Sequence, residues 1–392
     1  MSYMRYMLLR RLYRQSRRCA KVRSPNHRAP QLRTVVGCMF FFHLCFHPAV
    51  LSPAGSSDIC PVLAPHAAQV EESVERGLRY LIGQQQQDGS FPGRHGDTAG
   101  MVSLAGLSFL AAGHTPGRDA YGEMINRCLD YVMAQQNSNG YINGSTWRDG
   151  SMYSHHIATL FLAEVSGMVD PQREERVREA LAGAVKVILA SQQAAKSHPR
   201  YEGGWQYSPR ASRSDLSVSG WAVMALRSAR LNGARVPDEN MQQAIDFVLR
   251  MQHESGGFGY MNPEQHRPTL TALAILCLAL TGYHDSEEVE LGRRYLMAHY
   301  RRMPDQPHAL YGVYYGVQAA FQLGGENWEE IGSWFFDTYL LKQQDDGSWS
   351  PGAGGRVDVE QGSPAYRTAL LVLALTVPYR QLPIYQRDET VD

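Results

Sequence analysis

One local pattern recurs along this chain and confines it to a repeat architecture: an amphipathic helix, one or two glutamines, a polar turn with glycine, then an aromatic residue. The first copy runs from Arg76-Gly77-Leu78-Arg79-Tyr80-Leu81 into Gln86-Gln87-Asp88-Gly89-Ser90-Phe91. Later copies carry Gln135-Gln136 with Gly140-Tyr141, Gln192-Gln193 with Gly203-Gly204-Trp205, and Gln252 with Gly256-Gly257-Phe258. The last is Gln343-Gln344-Asp345-Asp346-Gly347-Ser348-Trp349. These aromatics lie 50, 64, 53 and 91 residues apart, so the final interval holds room for one more unit. Glu287 to Tyr300 reads as its first helix and Leu310 to Ala320 as its second, without the glycine-aromatic turn. Six two-helix units result, a fixed period being the mark of a repeat fold.

The two helices of a unit differ. In the first, Ala244, Ile245, Val248 and Leu249 form one stripe with Gln242, Gln243, Asp246 and Arg250 off it. The second is apolar nearly all round, as in Leu270 to Leu280, yet too short to cross a membrane. Two concentric layers satisfy both patterns: outer helices with one wet face, and inner helices packed outward on them around a central apolar cavity. Six hairpins close such a ring, whereas an open solenoid needs polar caps that are not evident here. The expected fold is therefore all-α, a single α/α toroid over residues 66–387, with a tail at 388–392. The repeated residues read as scaffold: glycine permits the turn, the aromatic fills the gap between hairpins, and glutamine bonds backbone groups at helix ends.

Composition adds an asymmetry. Formal net charge is zero, but residues 1–34 hold ten Lys/Arg and no acid, leaving 28 basic against 38 acidic residues in the remainder. An acidic body argues against nucleic acid as the main partner. The basic stretch leads into an apolar segment over residues 35–51 followed by Pro, Ala, Gly and Ser, so region 1–60 reads as an export signal or an uncleaved membrane anchor. Export to the periplasm or the extracellular space, with membrane association through the N-terminus as the alternative, is the expected location. Four of the six cysteines precede the repeats and no CxxC occurs, which gives neither a disulfide framework nor a cysteine zinc knuckle.

The Gln…Gly-aromatic copies resemble the QW-type motif of the prenyltransferase and squalene oxidase repeat family, which includes squalene–hopene cyclases and protein prenyltransferase β subunits. The resemblance covers about Glu71 to Arg387 and looks closest to bacterial exported single-toroid members. It implies an isoprenoid or other lipid held in the ring, with no cofactor. Squalene–hopene cyclases protonate an alkene with a DxDD cluster at an inner-helix start. The matching stretch here is Ser212-Arg213-Ser214-Asp215, which keeps one acid of three. The Asp-x-Cys zinc ligands of protein prenyltransferases match only Asp58-Ile59-Cys60, outside the repeats, so no metal site is expected.

Inner-helix starts bring side chains to one mouth of a ring. Asp215, Asp97 and His155 are the candidates there for acid/base chemistry, and Arg267, Tyr311, Tyr314, Tyr315, Gln318, Tyr366 and Arg367 for ligand binding. Each also has a plain structural role open to it. Asp97 and Asp215 suit helix N-caps, and His155 and His156 are adjacent, so they cannot both face inward. Arg267 and Arg367 could pair with the two aspartates, and the tyrosines could be core. Two other function classes remain open: a non-catalytic exported scaffold, and a carbohydrate-active α/α barrel, which needs two carboxylates in a polar, aromatic cleft.

Overall fold

In a computed structural model the chain divides into Met1–Ile59 and Cys60–Asp392. The described residues are 61–93, 98–117, 119–142, 151–306, 308–349 and 363–385, so the N-terminal basic and apolar segments and Asp97 lie outside them. Outer and inner helices alternate. The outer helices are α1 (Ala67–Gln84), α3 (Ala120–Ala134), α5 (Pro171–Gln192), α7 (Asp238–Leu249), α9 (Glu287–His299) and α11 (Gly325–Tyr339). The inner helices are α2 (Ala99–Ala111), α4 (Ser151–Val165), α6 (Leu216–Leu231), α8 (Pro268–Leu280), α10 (Ala309–Leu323) and α12 (Pro364–Leu375). Each inner helix packs on the next and α12 returns to α2, closing a six-hairpin ring. Helix starts follow their local sequence: Thr98, Asp119, Asp170, Asp215, Ser286 and Ser363 each accept a first-turn N–H, and proline opens α5, α8 and α12. Every residue of α2 is buried, as an inner-layer helix requires. Among the described residues no helix is long and apolar enough to cross a membrane.

The repeat motif is a clamp between neighbouring hairpins. Gln136 Nε2 donates to its own Gly140 carbonyl (3.0 Å) and to the Ala180 carbonyl of the next outer helix (2.8 Å). Gln85 makes the same pair with Gly89 and Met124, Gln192 with Gly203 and Asn240, and Gln252 with Gly256 and Glu288. Gln343 bonds Gly347 and, at 2.8 Å, Ser73 of α1, so the same clamp joins the last unit to the first. The five clamp glycines have φ between 82° and 95°. A Cβ on any of them would strike a carbonyl one turn along the same outer helix, so both conformation and space demand glycine.

Two residues after each glycine the chain inserts a buried side chain: Phe91, Ile142, Trp205, Phe258 and Trp349, all 2% exposed or less. Bridges pair Gln136 with Ile142, Gln252 with Phe258 and Gln343 with Trp349. This register corrects the aromatic assigned to the second unit. Ile142 fills the position, and Tyr141 lies one residue before it, outside the gap.

The fifth unit lacks the clamp. Here α9 runs on into a 3-10 helix, Tyr300–Asp305. The Tyr300 hydroxyl reaches Glu330 on α11 at 2.9 Å, and buried Met303 packs against Gly316 of α10. A side-chain tie thus replaces the glutamine.

Candidate functional site

Inner-helix N-termini converge on one face, and Asp215 is anchored there by its backbone. Its N–H donates to the Trp205 carbonyl (2.9 Å), and the following Leu216 N–H donates to the Tyr260 carbonyl (2.8 Å). The side chain is fully buried. Oδ1 accepts from the Val218 N–H (2.9 Å) and the Ser217 hydroxyl (2.7 Å). Oδ2 makes no hydrogen bond of good geometry among the described residues, with the Tyr260 hydroxyl near enough to act on the carboxyl. The capping and acid/base readings therefore divide between the two oxygens of one carboxyl. Burial pushes Asp215 up to about 6, against the lowering effect of Val218 N–H and the Ser217 and Tyr260 hydroxyls. Ser214, at a position where a DxDD cluster has an acid, instead donates to the Tyr201 carbonyl (2.6 Å).

A rim of tyrosines surrounds this carboxyl. The Tyr207 and Tyr260 hydroxyls meet at 2.6 Å. Tyr153 lies 5.9 Å from Tyr207 and 6.2 Å from Tyr311, and Tyr311 lies 5.7 Å from Tyr366. The Asp215 charge bears on Tyr153, Tyr207 and Tyr260, all raised chiefly by burial. Sequence reasoning missed Tyr207 and Tyr260, although both stand two residues past a repeat aromatic.

Beneath the rim, aromatic side chains of the described residues reach across the interior of the ring. Trp221 of α6 stacks on Tyr314 of α10 (6.1 Å, 16°) and meets Tyr311 and Tyr315 edge-on, though α8 stands between those two helices in the ring. Tyr153 of α4 and Tyr311 of α10 approach from opposite sides. Aromatic side chains thus cross the interior as a floor. The Trp221 indole N–H has no acceptor among the described residues.

The remaining candidates divide. Arg267 is half-buried with its guanidinium 5.9 Å over the Tyr260 ring, and Arg367 is buried with Nε donating to the Trp349 carbonyl at 3.1 Å. Among the described residues neither forms an ion pair with Asp215; pairing with Asp97 falls outside the described residues. His155 points away from the interior. Its Nδ1 accepts from the Ile142 N–H (3.1 Å) and its Nε2–H donates to the Ala184 carbonyl of α5 (3.1 Å). Burial drives it down to about 4. With both nitrogens used by the scaffold, His155 does for the second unit what Ser219 and Thr271 do for Trp205 and Phe258, which corrects its expected catalytic placement. His156 is also buried and lowered, with Nδ1–H donating to the Val218 carbonyl (3.2 Å). Tyr314 and Gln318 lie below the mouth, one and two turns along α10, beside Tyr385.

At the opposite end the chain folds back into the ring. Leu382, Ile384 and Tyr385 are buried there. Arg227 donates to the Leu280 and Ile384 carbonyls, and Glu164 accepts from the Ser228 hydroxyl and from the Ile384 N–H (3.4 Å). Glu164 is fully buried, and burial raises it to about 7. It stood in the sequence as the single acid of its inner helix, a residue type rarely buried unpartnered. No cluster of three or more His, Cys, Asp or Glu with metal-holding geometry exists among the described residues.

Fold and site define a protein of the α/α-toroid class with a buried acid in a tyrosine-lined mouth. Residues 205–320 match the prenyltransferase alpha-alpha toroid domain family, in agreement with the resemblance carried by the repeats. Drimenyl diphosphate synthase of Streptomyces showdoensis is 27% identical over 229 residues, 57% of this chain and 39% of that protein. The chain thus spans well under half the length of that curated relative. Among solved structures, the α-1,6-mannanase GH76A of Salegentibacter sp. HEL1_6, in complex with α-1,6-mannotriose, superposes with TM-score 0.57 at 11% identity over 79% of this chain and 99% of the other. The type II terpene cyclase MstE of Scytonema, in complex with merosterolic acid A, gives TM-score 0.49 at 14% identity over 81% and 99%.

Proposed function

We propose that the toroid binds an isoprenoid or similar unsaturated lipid at its mouth and that protonated Asp215 is the acid that meets it. The observation carrying this reading is the Asp215 carboxyl: buried, raised to about 6, with one oxygen outside the helix cap and tyrosine faces beside it. The Asp215 O–H would break as a C–H bond forms at one alkene carbon. The cation left on the neighbouring carbon would be stabilised by the Tyr311 and Trp221 faces, an attraction of about 2 kcal/mol or more when desolvated. Because aromatic side chains cross the ring below the mouth, the ligand would lie on that floor and would not thread the whole ring. The likeness to drimenyl diphosphate synthase favours a prenyl diphosphate as the first substrate to try. A glycoside hydrolase needs two carboxyls flanking its bond, and among the described residues the mouth offers one buried carboxyl, so the carbohydrate reading has less support. The non-catalytic scaffold is distinguished by Asp215 itself.

The test is incubation of purified protein and its Asp215→Asn variant with farnesyl and geranylgeranyl diphosphates, with products followed by mass spectrometry. The expected outcome is cyclised product from the parent, a loss of at least 100-fold in the variant, and retained ligand binding in both. Activity should fall as pH rises through about 6, where Asp215 loses its proton. Equal turnover by both proteins, or no prenyl binding by either, would overturn the proposal.

A further inference from the structure

A second site lies on the outside of the ring, where the fifth unit has lost its clamp. A cleft of about 500 Å³ opens between the turn of the fourth unit, the C-terminal end of α9 and the 3-10 helix that replaces the missing turn. Ser255, His266, Arg294, Tyr295, His299 and Arg302 line it. Four rings form a continuous ladder beside it: His253 stacks on His266 (4.3 Å, 25°), His266 meets Tyr295 edge-on (5.4 Å), and Tyr295 stacks on His299 (4.4 Å, 26°).

The hydrogen bonds set the polarity of this ladder. His253 Nδ1 accepts from the Ser255 N–H (3.2 Å), which leaves its Nε2 as donor. His299 Nδ1–H donates to the Tyr295 carbonyl (2.8 Å), so its Nε2 is open to a proton. His266 Nδ1 is buried without a partner among the described residues. The cationic side is only partly neutralised. Glu290 holds both Arg293 and Arg294, one carboxylate for two guanidiniums, and no ion pair involves Arg302 among the described residues. Glu264 is the carboxylate bearing on His266, while burial, His253 and His299 lower that imidazole. Stacked imidazoles cannot aim their nitrogens at one metal ion, and no metal-holding cluster occurs among the described residues. Nitrogen donors and spare positive charge around a cleft suit an oxyanion.

We propose that this cleft binds a phosphate-type anion, either a soluble phosphate or the head group of an anionic lipid. Arg302 and His266 are the principal donors, and Arg294 closes one side. The site is separate from Asp215 and does not rest on the reading given to the mouth.

Titration calorimetry of the full-length protein with inorganic phosphate and with pyrophosphate, in chloride buffer, tests the soluble form. Flotation with phosphatidylglycerol against phosphatidylcholine vesicles tests the head-group form. Saturable binding in either arm, weakened at least tenfold by Arg302→Glu and by His266→Ala, is the expected result. Arg302 is exposed, so its variant should keep the parent's helical circular dichroism. A bound anion also reverses the local charge, so the His266 titration seen by NMR should move upward when phosphate is added. Absence of binding to phosphate, pyrophosphate and anionic vesicles, or equal affinity in Arg302→Glu, would overturn the site.

Discussion

Asp215 and Glu164 are the fully withdrawn carboxyls among the described residues, one at each end of the ring. Both have folded-state values above their unfolded ones, so the folded protein holds the extra proton and stability falls as pH rises between the two values. For Glu164 the window runs from 4.5 to about 7, and ionisation withdraws about 3 kcal/mol by its upper end. His155 and His156 act in the opposite direction, because their lowered values make stability rise with pH up to 6.5. The parent profile therefore mixes opposing contributions, and a difference between proteins isolates one group. Glu164→Gln should gain stability over the parent across pH 4.5 to 7, approaching about 3 kcal/mol less any loss at the Ile384 N–H. Chemical denaturation at several pH values measures this, and parallel profiles for the two proteins would refute it. Asp215 was legible because it opens an apolar run. The release of its Oδ2 was not, since only the fold decides which oxygen meets the helix N–H groups.

At the scale of the element, the glutamine clamp is the recurring device. The sequence displayed the glutamines and glycines but not their partner, because the acceptor carbonyls lie on the next hairpin, 36 to 48 residues onward in four of the five cases. The same distance hid the role of His155, whose bond to Ala184 exists only once α5 has packed. Periodicity indicated six two-helix units, in line with the twelve α-helices among the described residues, because it is local. Tyr141 was misassigned because an aromatic one residue early looks the same on paper as one in register. Gln252→Ala removes two hydrogen bonds, one to the Gly256 carbonyl of the turn and one to the Glu288 carbonyl of α9, so it should lower unfolding free energy by about 2 kcal/mol. A change below about 0.5 kcal/mol in urea denaturation would deny the clamp its role.

Over the whole molecule, Gln343 to Ser73 and the packing of α12 on α1 and α2 make the last unit the neighbour of the first. Removing the chain from residue 341 onward takes away the glutamine and inner helix of the sixth unit, which strips cover from α1, α2, α10 and α11 together. Such a protein should aggregate or lose most of its helical signal, seen by circular dichroism and size-exclusion chromatography. A monomeric, fully helical five-unit fragment would show that the ring is an open solenoid whose ends merely touch.

Closure also limits how such a chain can change over time. An open array can gain or drop a repeat at its end and remain an array, but a closed circle of hairpins has no end, so losing one unit would open the ring. A unit whose motif decays must stay in place and be mended from within. The fifth unit fits this constraint: its clamp is gone, yet Tyr300 and Met303 still hold the arc between α9 and α11. The place where the ring could least afford a deletion is the place where its outer wall opened into a cleft.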